Sequence, residues 1–299
     1  MTELRSGQRH GTRQPSRAVV FAVLSIVLFM SAVDLTIVAT GLPTIGHALH
    51  ARLNWTSWTI SAYQLGLVVA MPVAGRVGDA LGHRRVVLSA AVVFLASSLA
   101  CALATDVYML IAFRAIQALG GGAFAPAATG LVAATHGDRR AQAVGFFSTI
   151  FPSGAIAGPI IGGAIISEWS WRGIFLVNIP IGAVFIVLGL RYLPRSPSTG
   201  ERVAPWGSVL LGGAVLLLML AIARFGEPHS SALAPSVIGF FVGAVVLFGV
   251  FWYYNSRASI PVIPVRFLRE RNFVAISTLN FVWGACAIGL ITLFPLFAE

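Results

Sequence analysis

The sequence predicts an all-α integral membrane protein, and three observations carry that reading. Apolar residues make up 57% of the 299 and charged residues only 10%, with a mean hydropathy of +0.87, whereas a soluble domain carries about a quarter charged residues. Apolar runs recur along the whole chain, each near the ~20 residues that a helix rising about 1.5 Å per residue needs to cross the hydrocarbon core. The arginines gather in alternate connections between those runs.

The first run, about 18–42, follows a tail bearing Arg5, Arg9, Arg13 and Arg17. A cleavable signal has an apolar core of roughly 7–15 residues, so this longer run reads as a first span that stays in place. Spans 2 to 6 follow at about 58–77, 86–105, 108–133, 141–166 and 172–193. Their short connections make successive helices antiparallel neighbours. Residues 1–17 are then a basic cytoplasmic tail and 18–193 a six-helix bundle. Segment 194–205, PRSPSTGERVAP, is a polar linker. Spans 7 and 8, 206–225 and 232–254, form a pair within 206–254; 255–271 is a basic, proline-containing loop; and span 9, 272–297, begins a further unit over 272–299.

Orientation follows from the arginines. With the N-terminus inside, the tail, Arg76, Arg84 and Arg85, Arg139 and Arg140, Arg191, Arg195 and Arg202, and Arg257, Arg266, Arg269 and Arg271 all face the cytoplasm. Only Arg52, Arg172 and Arg224 fall outside, and Arg114 lies within a span. That asymmetry fixes an N-inside topology by the positive-inside rule. It also supports the span count, because losing one span would invert every later loop.

Composition excludes other classes. The net charge of +10 sits in short loops rather than in a stripe with interleaved aromatics, so nucleic acid is not an expected partner. Cys101 and Cys286 lie inside apolar runs and give neither a disulfide framework nor a metal spacing. The sequence has no HExxH, GxSxG, Walker loop or CxxC. The expectation is a non-enzyme with no cofactor or metal, whose partners are membrane lipid and a small substrate. Active transport would draw on an ion gradient, in which one charge crossing 100 mV supplies about 2.3 kcal/mol.

Two ionisable residues stand inside the bundle. Asp34 lies deep in span 1, where a carboxylate costs roughly 2.5–3.5 kcal/mol on insertion scales unless neutralised or paired. Such a group suits proton binding and release; a structural hydrogen bond to neighbouring helices is the alternative. Arg114 lies about two turns into span 4. It either pairs with Asp34, the one acid within the bundle's spans, or snorkels to the nearby surface.

Two glycine-rich stretches point to close packing. In GRVGDALGHRR, Gly75 and Gly78 permit close approach, Gly82 permits a tight turn, and Asp79 can cap a helix or pair with Arg84 or Arg85. In GAIAGPIIGG, Gly154, Gly158 and Gly162 line one helix face, Pro159 removes a backbone donor and bends the helix, and Gly163 ends the motif. Trp58, Tyr63, Gln117 and Phe124 are expected to line a substrate cavity.

Together these stretches resemble the fourteen-helix drug:proton antiporter family of the major facilitator superfamily. VDLTIVATGLP at 33–43, GRVGDALGHRR at 75–85, RAIQALGGG at 114–122, GAIAGPIIGG at 154–163 and WRGIFLVNIPIG at 171–182 are similar to family signatures in order and spacing. The chain departs at Ala39, often Asn in the family, at Ala80 and His83, usually basic, and at Ala118, usually Gly. The resemblance implies a six-helix N-terminal bundle, the extra helix pair, and the first helix of a C-terminal bundle whose other five helices are missing from residues 1–299, either because this is a fragment or because the product is truncated. It implies two bundles rocking about a central cavity, with Asp34 and Arg114 in proton coupling, the helix 5 motif a sliding or bending surface, and 75–85 a latch between bundles. The function so implied is proton-coupled export of amphipathic or cationic compounds across a bacterial cytoplasmic membrane. A lipid, siderophore or metabolite exporter, and a non-transporting truncated protein, are the alternatives. On this reading residues 1–299 alone insert without transporting, and a monomer is expected.

Overall fold

The computed structural model describes residues 16–196, 205–225, 234–258, 261, 270–280, 282 and 284. Every element among them is helical. In chain order they are α1 (Arg17–Ala48), α2 (Leu53–Leu81), α3 (His83–Ala102), α4 (Val107–His136), a 3₁₀ turn (Gly137–Arg139), α5 (Arg140–Ser148), α6 (Ile150–Glu168), α7 (Gly173–Leu176), α8 (Asn178–Tyr192), α9 (Pro205–Phe225) and α10 (Pro235–Arg257). Helical backbone resumes over 271–280. The N-terminal tail before Ser16, most of the 194–205 linker and most of 259–299, including Cys286, lie outside the described residues.

The helices extend past the apolar windows. α1 continues through Pro43 to Ala48, and α2 begins at Leu53 rather than near residue 58. Hydropathy locates the part of a helix that meets hydrocarbon, but backbone hydrogen bonding continues into the interface. Caps mark the true ends: the Ser16 hydroxyl accepts from the Val19 amide at 3.3 Å and the Asp106 carboxylate from the Met109 amide at 2.8 Å. Between α2 and α3 the turn is one residue, Gly82, at φ +93°, a conformation that side-chain-bearing residues avoid.

Which residues face each other fixes the relative directions of the packed helix pairs. Gly66 faces Ala115 and Ala118, Gly122 faces Leu67 and Ala70, and Gly75 faces Pro126, so α2 and α4 run parallel. Gly154 meets Phe29 and Ala32, Gly158 meets Val33 and Thr36, and Gly162 meets Ile37 and Thr40, so α6 runs parallel to α1. Phe21 packs edge-on to His136 while Asp34 pairs with Arg114, so α4 opposes α1. Gly182 meets Leu95 and Gly189 meets Leu88, so α8 opposes α3. Gly213 faces Leu247 and Gly243 faces Leu217, making α9 and α10 an antiparallel hairpin.

Those directions count the crossings. Six stretches are long and apolar enough to span a membrane, but one of them, Val107–Glu168, has 62 residues, roughly three times a spanning length. Because α4 opposes α1 and α6 follows it, the chain reverses between them. That stretch is therefore two crossings, and α5 with α6 is the expected span 5. With α9, whose apolar part is Val209–Phe225, eight of the nine expected spans fall on described helices. α7 and α8 together make span 6, joined at Val177 in αR geometry.

Two cores hold the bundle. One joins α1 to α2, α3, α4 and the α5–α6 junction through Leu24, Val27, Phe94, Phe124 and Phe147. The other lies toward the opposite end, around Ile37, Ile45, Leu110, Trp171 and Phe175. Many large apolar side chains, including Ile156, Ile160, Val187 and Phe241, are exposed. In a protein of this composition such faces meet lipid or another helix.

Candidate functional site: a buried ion pair between α1 and α4

Asp34 and Arg114 meet in the interior. Arg114 Nη1 donates to Asp34 Oδ2 at 2.7 Å, and both side chains have 0% exposure. The arginine turns inward rather than snorkelling. The carboxylate offers it a partner at equal depth. An arginine keeps its charge at ordinary pH, so the compensating negative group must come from the protein.

Neighbouring polar groups complete the cage. Gln117, one turn past Arg114, accepts from Arg114 Nη1 at 2.8 Å and donates to Asp34 Oδ1 at 3.2 Å. Asn178, the first residue of α8, donates to Asp34 Oδ1 at 2.7 Å and to Ser98 Oγ at 3.1 Å. Ser98 donates to the Phe175 carbonyl at 2.9 Å. Arg114 Nε reaches the Thr59 carbonyl at 3.4 Å, and the guanidinium carbon sits 3.8 Å above the Tyr63 ring. Residues of α1, α2, α3, α4, α7 and α8 thus gather around one carboxylate and its counter-ion. Arg114 Nη2, also buried, has no hydrogen-bond partner among the described residues.

Sequence reasoning missed Asn178, Ser98 and the Thr59 carbonyl. Asn178 was legible in principle, as an isolated amide in the apolar run FLVNIPIG. Its removal gives a first prediction: Asn178→Leu deletes a hydrogen bond to a buried carboxylate and lowers unfolding stability in detergent by about 1–2 kcal/mol. A thermal melt checks this, and Asn178→Asp should be worse because it adds a second acid beside Asp34.

The other expected site residues are placed as follows. Tyr63 and Gln117 belong to the cage, and Phe124 is a core residue with its ring 5.3 Å from that of Phe94. All three have 0% exposure, so they face no open cavity here. Trp58 lies apart, lining a space between α2, α4, α9 and α10. The four therefore do not share one cavity in this structure, because an aromatic or amide side chain within a span can be packed in the core as well as line a space.

The 75–85 stretch is placed as follows. Asp79 does not cap α3: Gly82 holds the N-cap position and no side chain caps the helix. Asp79 has an ion-pair distance of 3.4 Å to His83. His83 fills the space left by Gly78 on α2 and Gly130 on α4. Arg84 turns the other way: its Nη2 donates to the Leu190 carbonyl at 2.6 Å, and its backbone amide donates to Ser196 Oγ at 3.3 Å. Gly75 makes only a loose approach to Pro126, 3.9 Å from where a Cβ would stand. In α6, Gly154, Gly158 and Gly162 face α1 and are buried, Pro159 lies within the helix, and Gly163 faces open space.

Fold and site together define a polytopic helical membrane protein whose bundle closes around a buried acid–base pair. The family model described as Major Facilitator Superfamily matches residues 24–299, and the chain belongs to that family. Among its relatives, the Multidrug transporter protein MdtP of Bacillus subtilis is 31% identical over 291 residues, covering 96% of this chain and 53% of that protein. The Tetracenomycin C resistance and export protein of Streptomyces glaucescens is 32% identical over 269 residues, 89% of this chain and 50% of that protein. The chain thus spans about half the length of these curated relatives. In fold it is similar to the E. coli xylose transporter XylE in a partially occluded inward-open conformation, with TM-score 0.56 and 15% identity over 79% of this chain and 67% of that one.

Proposed function

We propose that this chain is the N-terminal part of a proton-coupled exporter of amphipathic or cationic compounds, of the fourteen-helix kind, in a bacterial cytoplasmic membrane with its N-terminus inside. The observation that carries the reading is the sealed Asp34–Arg114 pair, held by Gln117 and Asn178. A carboxylate so placed can exchange a proton only when the helices around it part. Protonation would remove the charge that holds Arg114 and loosen the α1–α4 contact, which ties proton uptake to conformation. That is the coupling alternating access requires: the site opens to one side at a time. The names of relatives, multidrug transport and antibiotic resistance and export, favour an exported drug-like cargo. The proton is the coupling ion and no cofactor is needed.

The test is Asp34→Asn in the protein at its natural length, assayed in inverted vesicles with an imposed pH gradient. The amide keeps the shape but carries no titrating proton. Gradient-driven efflux of a fluorescent cationic dye is expected to fall to background. Undiminished uphill efflux in that variant overturns the reading.

A further inference from the structure

We infer that Ser98 of α3 is a positioning residue for Asp34: acting through Asn178, it holds the closed cage in a hydrogen-bonding pattern that takes Asp34 as a carboxylate and refuses it as a neutral acid. This deepens the proton-coupled reading, and its meaning for transport rests on that reading. The pattern has a direction. A serine hydroxyl has one proton to give and lone pairs with which to accept. Ser98 gives its proton to the Phe175 carbonyl at 2.9 Å, so toward Asn178 Nδ2, at 3.1 Å, its oxygen accepts. That bond fixes which end of the Asn178 amide faces Asp34: the same Nδ2 donates to Oδ1 at 2.7 Å. Gln117 is fixed likewise, because its Oε1 accepts from Arg114 Nη1 at 2.8 Å and leaves Nε2 to donate to Oδ1 at 3.2 Å.

Asp34 is therefore met by donors at both oxygens, Arg114 at Oδ2 and the two amides at Oδ1. A carboxylate, which only accepts, is satisfied by all three. A protonated carboxyl has an O–H to place and finds N–H at either oxygen, in a buried site where a misplaced donor is costly. Arg114 keeps its protons, and Gln117 cannot turn without presenting its NH2 to Arg114. Asn178 can turn its carbonyl toward the acid, but only if Ser98 swings its proton off the Phe175 carbonyl. Ser98 and Asn178 are both buried, so the bond given up is not replaced by solvent. The other charged or titratable groups of this region are Arg114 of α4, Tyr63 beneath its guanidinium on α2, and Cys101 of α3 against Gln117. The remaining titratable side chains of α1 to α4, α6 and α8 lie within a turn or two of a helix end, and α7 carries none.

A double-mutant cycle between Ser98 and Asp34, which Asn178 bridges, tests the inference. Asp34→Asn puts an NH2 where the neutral acid would put its O–H, so it meets the same mismatch at any pH. In detergent melts of the full chain, Asp34→Asn should cost less in a Ser98→Ala background than in the parent, because Asn178 is then free to turn. The expected coupling is about two- to tenfold in the unfolding equilibrium constant, the range of one neutral hydrogen bond. Ser98→Thr keeps the hydroxyl and should restore the parent's penalty, and Ser98→Cys, a weaker acceptor, should give the same sign as Ser98→Ala. In an Asn178→Leu background, or Asn178→Ser if the leucine variant does not fold, the coupling should vanish. Additive effects of Ser98→Ala and Asp34→Asn overturn the inference. Coupling that survives loss of Asn178 also overturns it, since that would mean a general loosening of α3. The efflux assay on Asp34→Asn answers separately. Coupling beside undiminished efflux keeps the role of Ser98 and removes proton exchange, whereas additivity beside abolished efflux removes the role of Ser98 and keeps proton exchange.

Discussion

Arg114→Met should lose about 3–5 kcal/mol of unfolding stability in detergent, and restoring neutrality with Asp34→Asn in the same chain should recover much of it. The single change strands a carboxylate at 0% exposure that keeps its hydrogen bonds from Gln117 and Asn178 but loses its counter-ion. Removing one partner of a buried ion pair carries that penalty because the remaining charge is uncompensated. The double variant replaces both charges. The amide it introduces on α1 can still hydrogen-bond Gln117 and Asn178, and methionine fills much of the arginine's volume beside Tyr63. A double-mutant cycle isolates the coupling. Thermal or denaturant melts of the four proteins provide it, with a coupling energy well above the experimental scatter expected. If the effects of the two single changes simply add, the pair is not energetically linked and the site loses its physical basis. The same cycle separates architecture from mechanism: a double variant that folds well yet fails to move substrate uphill assigns the charges to coupling.

Much of this arrangement was legible in the sequence, and the limits of legibility are physical. The spans could be read because the bilayer imposes a length and an apolar composition on each crossing. Scarcity of partners in hydrocarbon made the pairing of Asp34 with Arg114 one of two readings, and the 2.7 Å contact between their side chains decides it against snorkelling. The cage was less legible. Asn178 and Ser98 are neutral and short, their insertion into apolar runs is tolerated, and nothing local says which carboxylate they will face. Phe124 and Tyr63 show the converse difficulty: an aromatic residue in a span can be core, cavity wall or lipid contact, and only the packing of α3 and α2 decides. In the sequence, His83 is a departure from a basic position. In the structure it is a wedge between Gly78 and Gly130, a relation between α2, α3 and α4 that no local window contains.

A large packing effect should come from Gly158→Val in α6. A Cβ at this position would collide with Thr36 Oγ1 and stand 3.0 Å from the Val33 carbonyl, so the obstruction is partly α1 backbone that cannot rotate away. Gly154 and Gly162 are similarly placed, the first 2.8 Å from the Phe29 carbonyl and the second 2.5 Å from Thr40 Oγ1. Without a hydrophobic drive between helices in lipid, α1 and α6 hold together by close contact alone. Forcing them apart therefore removes dispersion along the whole seam as well as creating overlap. Overpacking of this kind costs typically about 1–3 kcal/mol, and the β-branched side chain places Gly158→Val at or above the upper end. Gly163→Ala is the internal control, because nothing lies within 4 Å of the Cβ it would add. Its melting temperature should match the parent, or rise slightly through alanine's better helix propensity. Equal losses at 158 and 163 would mean that helix flexibility, not the α1–α6 seam, is what these glycines supply. Thr36 and Val33, which Gly158 meets, flank Asp34 on α1, so the seam and the ion pair share one turn of helix. A Gly158→Val protein that remains folded should therefore also show disturbed coupling between Asp34 and Arg114 in the cycle described above.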